Sequence, residues 1–145
     1  MRSDDSCIFC KIVQSEIPAS IVLQNEATVA FLDINPIATG HLLVIPVEHC
    51  STVTDISAEA MARLAGELPR LSQVVLEATG AAALNLICNS GKEAGQEVPH
   101  LHFHLIPRYV DDQRILRANR MASDEESRER MCQKMIDVLV REESD

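Results

Sequence analysis

Three histidines, His100, His102 and His104, alternate with apolar residues in the segment Pro99 to Arg108. In extended backbone, successive side chains point to opposite faces. The three imidazoles therefore line one face, each about 6–7 Å from the next. Leu101, Phe103 and Leu105 line the other face and can pack on a core. Such a row has three plain readings: a metal site, a pH-sensitive surface, or a chance cluster. The regular alternation of three of the chain's five histidines argues against chance. A three-histidine zinc site is a serious rival, because imidazole is the commonest zinc ligand.

The loop before the row tilts the choice. Residues Asn89 to Val98 carry Gly91 and Gly95, where backbone N–H groups can form an anion nest, and Asn89 and Gln96 add neutral amide donors. Donors for phosphate oxygens beside a nucleophile are what phosphoryl or nucleotidyl transfer needs. Imidazole is mostly neutral at pH 7, so it can attack phosphorus and form a nucleotidyl-histidine that water then cleaves. The middle ring, His102, has neighbours on both sides to orient it and is the natural nucleophile.

Cys7 and Cys10 form a Cys-x-x-Cys pair, half of a zinc knuckle. No second such pair exists, so a Cys₂His₂ site would need two histidines. Five cysteines, an odd number, do not suit a disulfide framework. Cys88 lies in an apolar run and reads as a small buried side chain.

The elements that must position these groups can be read from periodicity. Cys7 to Gln14 reads as a short helix stopped before Pro18. Ile21–Gln24 and Thr28–Leu32 read as two strands of a hairpin turned at Asn25 and Glu26. Asp33 to Gly40 is a loop and His41 to Ile45 a strand closed by Pro46. The main helix runs from Ser57 to Thr79, with Ser57 as N-cap and Gly80 as stop. Pro69 inside it should kink or split it. Ala83 to Cys88 and Leu101 to Ile106 are further strands. Ser123 with Glu126 resembles a capping box opening a short C-terminal helix, with Met131, Met135, Val138 and Leu139 on one face. This order predicts an α+β fold, a mostly antiparallel sheet packed with a long central helix.

The chain has 145 residues, enough for a single domain. A net charge of −9 does not suit a nucleic-acid partner. No segment is apolar for long enough to span a membrane and no secretory apolar region opens the sequence, so a cytoplasmic protein is expected.

His100-Leu-His102-Phe-His104-Leu-Ile resembles, at every position, the signature of the histidine-triad (HIT) family of nucleotide hydrolases and transferases. Ile8–Ile12 with Glu16–Pro18, Phe31–Pro36, and Gly40–Pro46 followed by His49 resemble further family segments, from about Cys7 to Arg108. The likeness is greatest to the bacterial branch similar to histidine-triad nucleotide-binding (protein kinase C inhibitor-like) proteins. It implies one HIT domain over 1–145, with a core of about 7–108 and a C-terminal tail. It implies His102 as nucleophile, and His104 contacting phosphate and assisting the leaving group. His100 would hold the neighbouring imidazole through backbone and side chain, with His41 packed behind. Asn89, Gly95, Gln96 and Val98 would hold phosphate, and Asp33 the ribose hydroxyls. Ile8, Phe9, Ile12, Phe31 and Ile34 would form an apolar slot for a purine. Cys7, Cys10, His49 and His100 would bind a structural zinc. The substrates implied are purine nucleotides: phosphoramidates, dinucleoside polyphosphates or nucleotidyl-sugars. A homodimer through the main helix and a strand is also implied. A non-catalytic purine-nucleotide-binding module is the alternative. Glu97 departs from the phosphoramidase branch, which often has Ser there, and a carboxylate beside phosphate is unfavourable unless it faces solvent.

Overall fold

The structure, a computed structural model, describes residues 2–110, 112 and 122–144. In chain order the elements are α1 (Ile8–Val13), β1 (Ile21–Gln24), β2 (Thr28–Leu32), β3 (Leu42–Pro46), α2 (Ala58–Gly66), α3 (Leu68–Thr79), β4 (Ala83–Ile87), β5 (Phe103–Arg108) and α4 (Glu125–Ser144). A single turn of 3₁₀ helix, Lys92–Ala94, lies in the loop before β5. The strands form an antiparallel sheet in the order β1-β2-β3-β5-β4. The architecture is the expected α+β one.

Alternation along the strands divides the core in two. Ala30, Leu32, Leu42, Val44, Leu101 and Leu105 point to the face covered by α2, α3 and α4, against Leu64, Leu71, Val75, Met135 and Val138. Val29, Phe31, Leu43 and Ile45 point to the other face, against Phe9 and Ile12 of α1. The expected hairpin forms because the Asn25 side chain accepts from the N–H groups of Ala27 and Thr28.

Two expectations change in detail, the length and the cap of the C-terminal helix, and the split that Pro69 implies in the central helix is observed. The long central helix is two helices, broken at Glu67, with Pro69 in the first turn of α3 where its missing N–H costs least. Ser57 does cap α2, accepting from Ala60 N, and Gly80 closes α3 at φ +67°. The C-terminal helix is not short: α4 has 20 residues. Its first turn is capped by Asp124, which accepts from the Ser127 N–H, rather than by Ser123.

Gly40 fixes the loop between β2 and β3. Its φ is +90°, and a Cβ there would lie 2.4 Å from Thr79 Cγ2. Only glycine allows this loop to lie against the end of α3, which sets His41 just before β3.

Candidate active site

The loop from Asn89 reaches the histidine row through the Gln96 side chain. Gln96 Oε1 accepts from Gly91 N at 2.8 Å, and its Nε2 donates to Ser51 O at 2.7 Å and Val98 O at 2.9 Å. His100 N then bonds Val98 O, and Leu101 N bonds Cys50 O outside the sheet. The ladder of β5 consequently starts at Phe103, two residues later than expected, and of the three histidines only His104 pairs within it. The alternation survives. Leu101 and Leu105 are fully buried among helix residues, Phe103 packs against them, and the imidazoles share the opposite face. The rings of His102 and His104 are 4.8 Å apart. Phe9 of α1 meets His102 edge-on at 5.3 Å.

Neighbouring groups assign the proton on each ring. His102 Nδ1 lies 2.6 Å from the His100 carbonyl oxygen. A carbonyl only accepts, so Nδ1 carries the proton and Nε2 the lone pair. Ile37 N–H donates to His41 Nδ1 at 3.0 Å, so His41 carries its proton on Nε2. That Nε2 is 2.9 Å from His104 Nδ1 and donates to it. His104 is then protonated on Nε2 and presents a donor. His100 Nε2 donates to Pro46 O at 3.0 Å, leaving a lone pair on Nδ1. Burial, with the neighbouring His49 and His102, pushes His100 down to about 4, so it is neutral at pH 7.

His100 differs from the expectation in one respect. It holds His102 through its carbonyl, but its side chain turns away to Pro46 and the cysteines. His41 stands behind His104.

Among the remaining candidates, Gly95 is at φ +90°, and a Cβ there would lie 3.9 Å from Asn89 Nδ2. Asn89 and Val98 are half-buried, and Glu97 is exposed. The Gln96 amide is committed to backbone carbonyls, so it builds the loop rather than facing a ligand. Asp33 is buried; its Oδ1 accepts from Asn35 N at 2.8 Å and its Oδ2 is 3.8 Å from His41 Nε2. Phe9, Ile12 and Phe31 are core residues, while Ile8 and Ile34 are 45% and 60% exposed. The expected apolar slot thus divides into buried floor and exposed residues. Sequence reasoning missed the Ile37 N–H and Pro46 carbonyl. Backbone groups carry no residue-type signal, so nothing in the sequence could have marked them.

The Cys-x-x-Cys pair meets the two expected histidines. Cys7 Sγ is 3.4 Å from His100 Nδ1, and Cys10 Sγ is 3.3 Å from His49 Nδ1 and 3.7 Å from His100 Nδ1. The four ligand atoms all lie within 4.8 Å of one another. Zinc bonds of about 2.3 Å to sulfur and about 2.0 Å to nitrogen give tetrahedral S···N edges of roughly 3.5 Å, so the donor set fits the ion. The His100 Nε2–H bond to Pro46 O is the outer contact that aims Nδ1 at a metal. The three histidines of the row do not converge on one point. His100 groups with the cysteines, and His104 with Asp33 and His41; His102 belongs to neither group among the described residues. A three-histidine metal centre is therefore not what this geometry builds.

The HIT domain family matches residues 14–111. A HIT-like protein of Methanocaldococcus jannaschii is 40% identical over 111 residues, covering 77% of this chain and 85% of that protein. The adenosine 5′-monophosphoramidase of Saccharomyces cerevisiae is 43% identical over 105 residues, covering 72% of this chain and 64% of the yeast protein. A zinc-bound histidine triad family protein from Mycobacterium smegmatis superposes with a TM-score of 0.85 at 33% identity, covering 96% of each chain. With the matched segment spanning the whole sheet and the whole histidine row, the chain belongs to the HIT family.

Proposed function

We propose that this chain is a HIT-type hydrolase that cleaves a purine nucleoside 5′-phosphate linkage, a phosphoramidate being the first substrate to try, through a nucleotidyl adduct on His102. The observation that carries the reading is the 2.6 Å contact from His102 Nδ1 to the His100 carbonyl, which leaves the nucleophilic lone pair on Nε2. The Nε2 pair forms a bond to phosphorus as the bond to the leaving amine or oxygen breaks with its electron pair. The leaving group takes a proton from solvent. The ring, now cationic, keeps its Nδ1–H on the carbonyl. Water then attacks phosphorus, loses a proton, and returns the pair to Nε2, releasing the nucleoside monophosphate. His104 donates from Nε2 to the phosphoryl oxygens, and Asn89 with the backbone at Gly95 and Val98 adds donors. Asp33 receives the ribose hydroxyls, and Ile8 and Ile34 with the Phe9 and Phe31 floor receive the purine. Glu97 is exposed, which is the condition under which a carboxylate on this loop can face solvent. Relatives named as adenosine 5′-monophosphoramidases support this substrate class.

Cys7, Cys10, His49 and His100 would hold zinc, supported by the clustered ligand atoms and by the zinc-bound relative. Bound there, the ion would tie α1 to the histidine row and take no part in the displacement. The chain would act as one domain and pair with a second copy through the α2–α3 side and edge strand β4, where Leu86 is exposed.

The test is turnover of adenosine 5′-phosphoramidate with trapping of the adduct. The native chain should gain the mass of one adenylyl group on His102, and His102→Ala should lose about 10⁴-fold in kcat. Equal turnover by the variant would remove His102 from the reaction. Binding of AMP without turnover by either protein would favour a non-catalytic nucleotide-binding module.

A further inference from the structure

We infer that Asp33 is a positioning residue that acts through His41 on His104, so that the grip on the sugar and the bond to phosphate are coupled. The inference rests on the hydrolase reading and adds a second job to its ribose carboxylate. Ile37 N–H, His41 and His104 form a one-directional chain of hydrogen bonds at 3.0 and 2.9 Å, ending in the His104 donor. Bonds in such a chain polarise one another. His41 is fully buried and His104 nearly so, away from screening water. The Asp33 carboxylate lies 3.8 Å from the nitrogen that links the two rings. A negative charge there favours positive charge on the ring pair. As charge grows on the phosphoryl oxygens, His104 bonds more strongly when its ring can become more cationic, and Asp33 supports that shift.

A cleft of about 160 Å³ separates Asp33 and His41 from the first turn of α4. Among the described residues, the charged and titratable groups facing the pair are Asp33, His102 on the same face of the histidine row, and Asp124 and Arg128 across the cleft. Asp124 is occupied by the Ser127 N–H and hydroxyl, and Arg128 by the Ser123 carbonyl.

Asp33→Asn keeps an acceptor for the Asn35 N–H and removes the charge. Imidazole ¹⁵N NMR of the full chain should place protons on His41 Nε2 and His104 Nε2. In the variant, the pH at which the pair takes up its next proton should fall by about one unit. Kinetics supply the second arm, with adenosine 5′-phosphoramidate and its 2′,3′-dideoxy counterpart. Asp33→Asn should lower kcat about tenfold on both substrates. A carboxylate that only grips the sugar would raise KM on the ribose substrate and leave the dideoxy kcat unchanged, which overturns the inference. An unchanged titration of the pair overturns it as well. If the native chain turns over neither substrate, the hydrolase reading fails while the NMR arm still decides the link between Asp33 and the ring pair.

Discussion

Two amides on one loop have opposite assignments. Gln96 bonds four backbone groups, Gly91 N, Ser51 O, Val98 O and, at 3.5 Å, His100 O, and so holds the loop closed. Among the described residues, Asn89 makes no such set of bonds, and it lies next to Gly95. Replacing Gln96 with Ala should leave partly buried carbonyls unsatisfied and cost about 1–3 kcal/mol, seen as a drop in Tm of several degrees. Replacing Asn89 with Ala should leave Tm nearly unchanged and lower kcat about 100-fold, the loss expected for one donor to a developing oxyanion. Thermal melts beside steady-state kinetics check both, and equal effects on Tm would refute the division. At this scale the sequence was legible in residue type but not in role. Alternation placed the three rings on one face. It could not distinguish them, because the groups that do so, Pro46 O, Ile37 N and the His100 carbonyl, arrive from other segments or from the backbone.

Elements were more legible than single residues wherever burial is one-sided. The apolar residues Met61, Leu64, Leu68, Leu71 and Val75, spaced at steps of three and four, and the alternation in β5 gave correct faces, since each has one core side to satisfy. Boundaries failed where particular hydrogen bonds, long-range or local, decide them. β5 starts late because Leu101 N is taken by Cys50 O, and α4 starts at its cap rather than at the residue suggested by spacing. The sequence Ser123-Asp124-Glu125-Glu126 offers two adjacent caps, and spacing to a later Glu favoured the wrong one. Asp124 accepts from Ser127 N at 2.8 Å, while the Ser123 carbonyl accepts from Arg128. Asp124→Ala should therefore destabilise the protein, and Ser123→Ala should do so much less. Urea unfolding of the two variants measures this, and a larger loss for Ser123→Ala would restore the capping box. Cys132 was also missed on α4. Its thiol donates to Ile21 O and burial pushes it up to about 11, so it serves as core and not as a reactive group.

For the whole molecule, the Cys₂His₂ cluster joins segments far apart in sequence: α1 through Cys7 and Cys10, the turn after β3 through His49, and the histidine row through His100. A metal bound there stabilises the fold by mass action, and occupancy at about 1,000 times Kd adds about 4 kcal/mol. That is a rise of roughly 8–16 °C in Tm for a chain of this size. Zinc added to chelator-treated protein should produce such a rise, and Cys7→Ser should abolish it. Without metal, acid acts through His100. Its folded value of about 4 lies below the ordinary 6.5, so the unfolded chain takes up the proton first. Its contribution is fully present above pH 6.5, is lost as pH falls from 6.5 toward 4, and changes no further below that. The loss amounts to about 3 kcal/mol across the window. Melting of metal-free protein between pH 7 and 5 should show Tm falling, less steeply in His100→Asn. A flat native profile, or one that the substitution leaves unchanged, would show that His100 is not buried as a neutral ring. Zinc that fails to raise Tm at pH 7 would refute the structural metal site while leaving His102 and its carbonyl untouched.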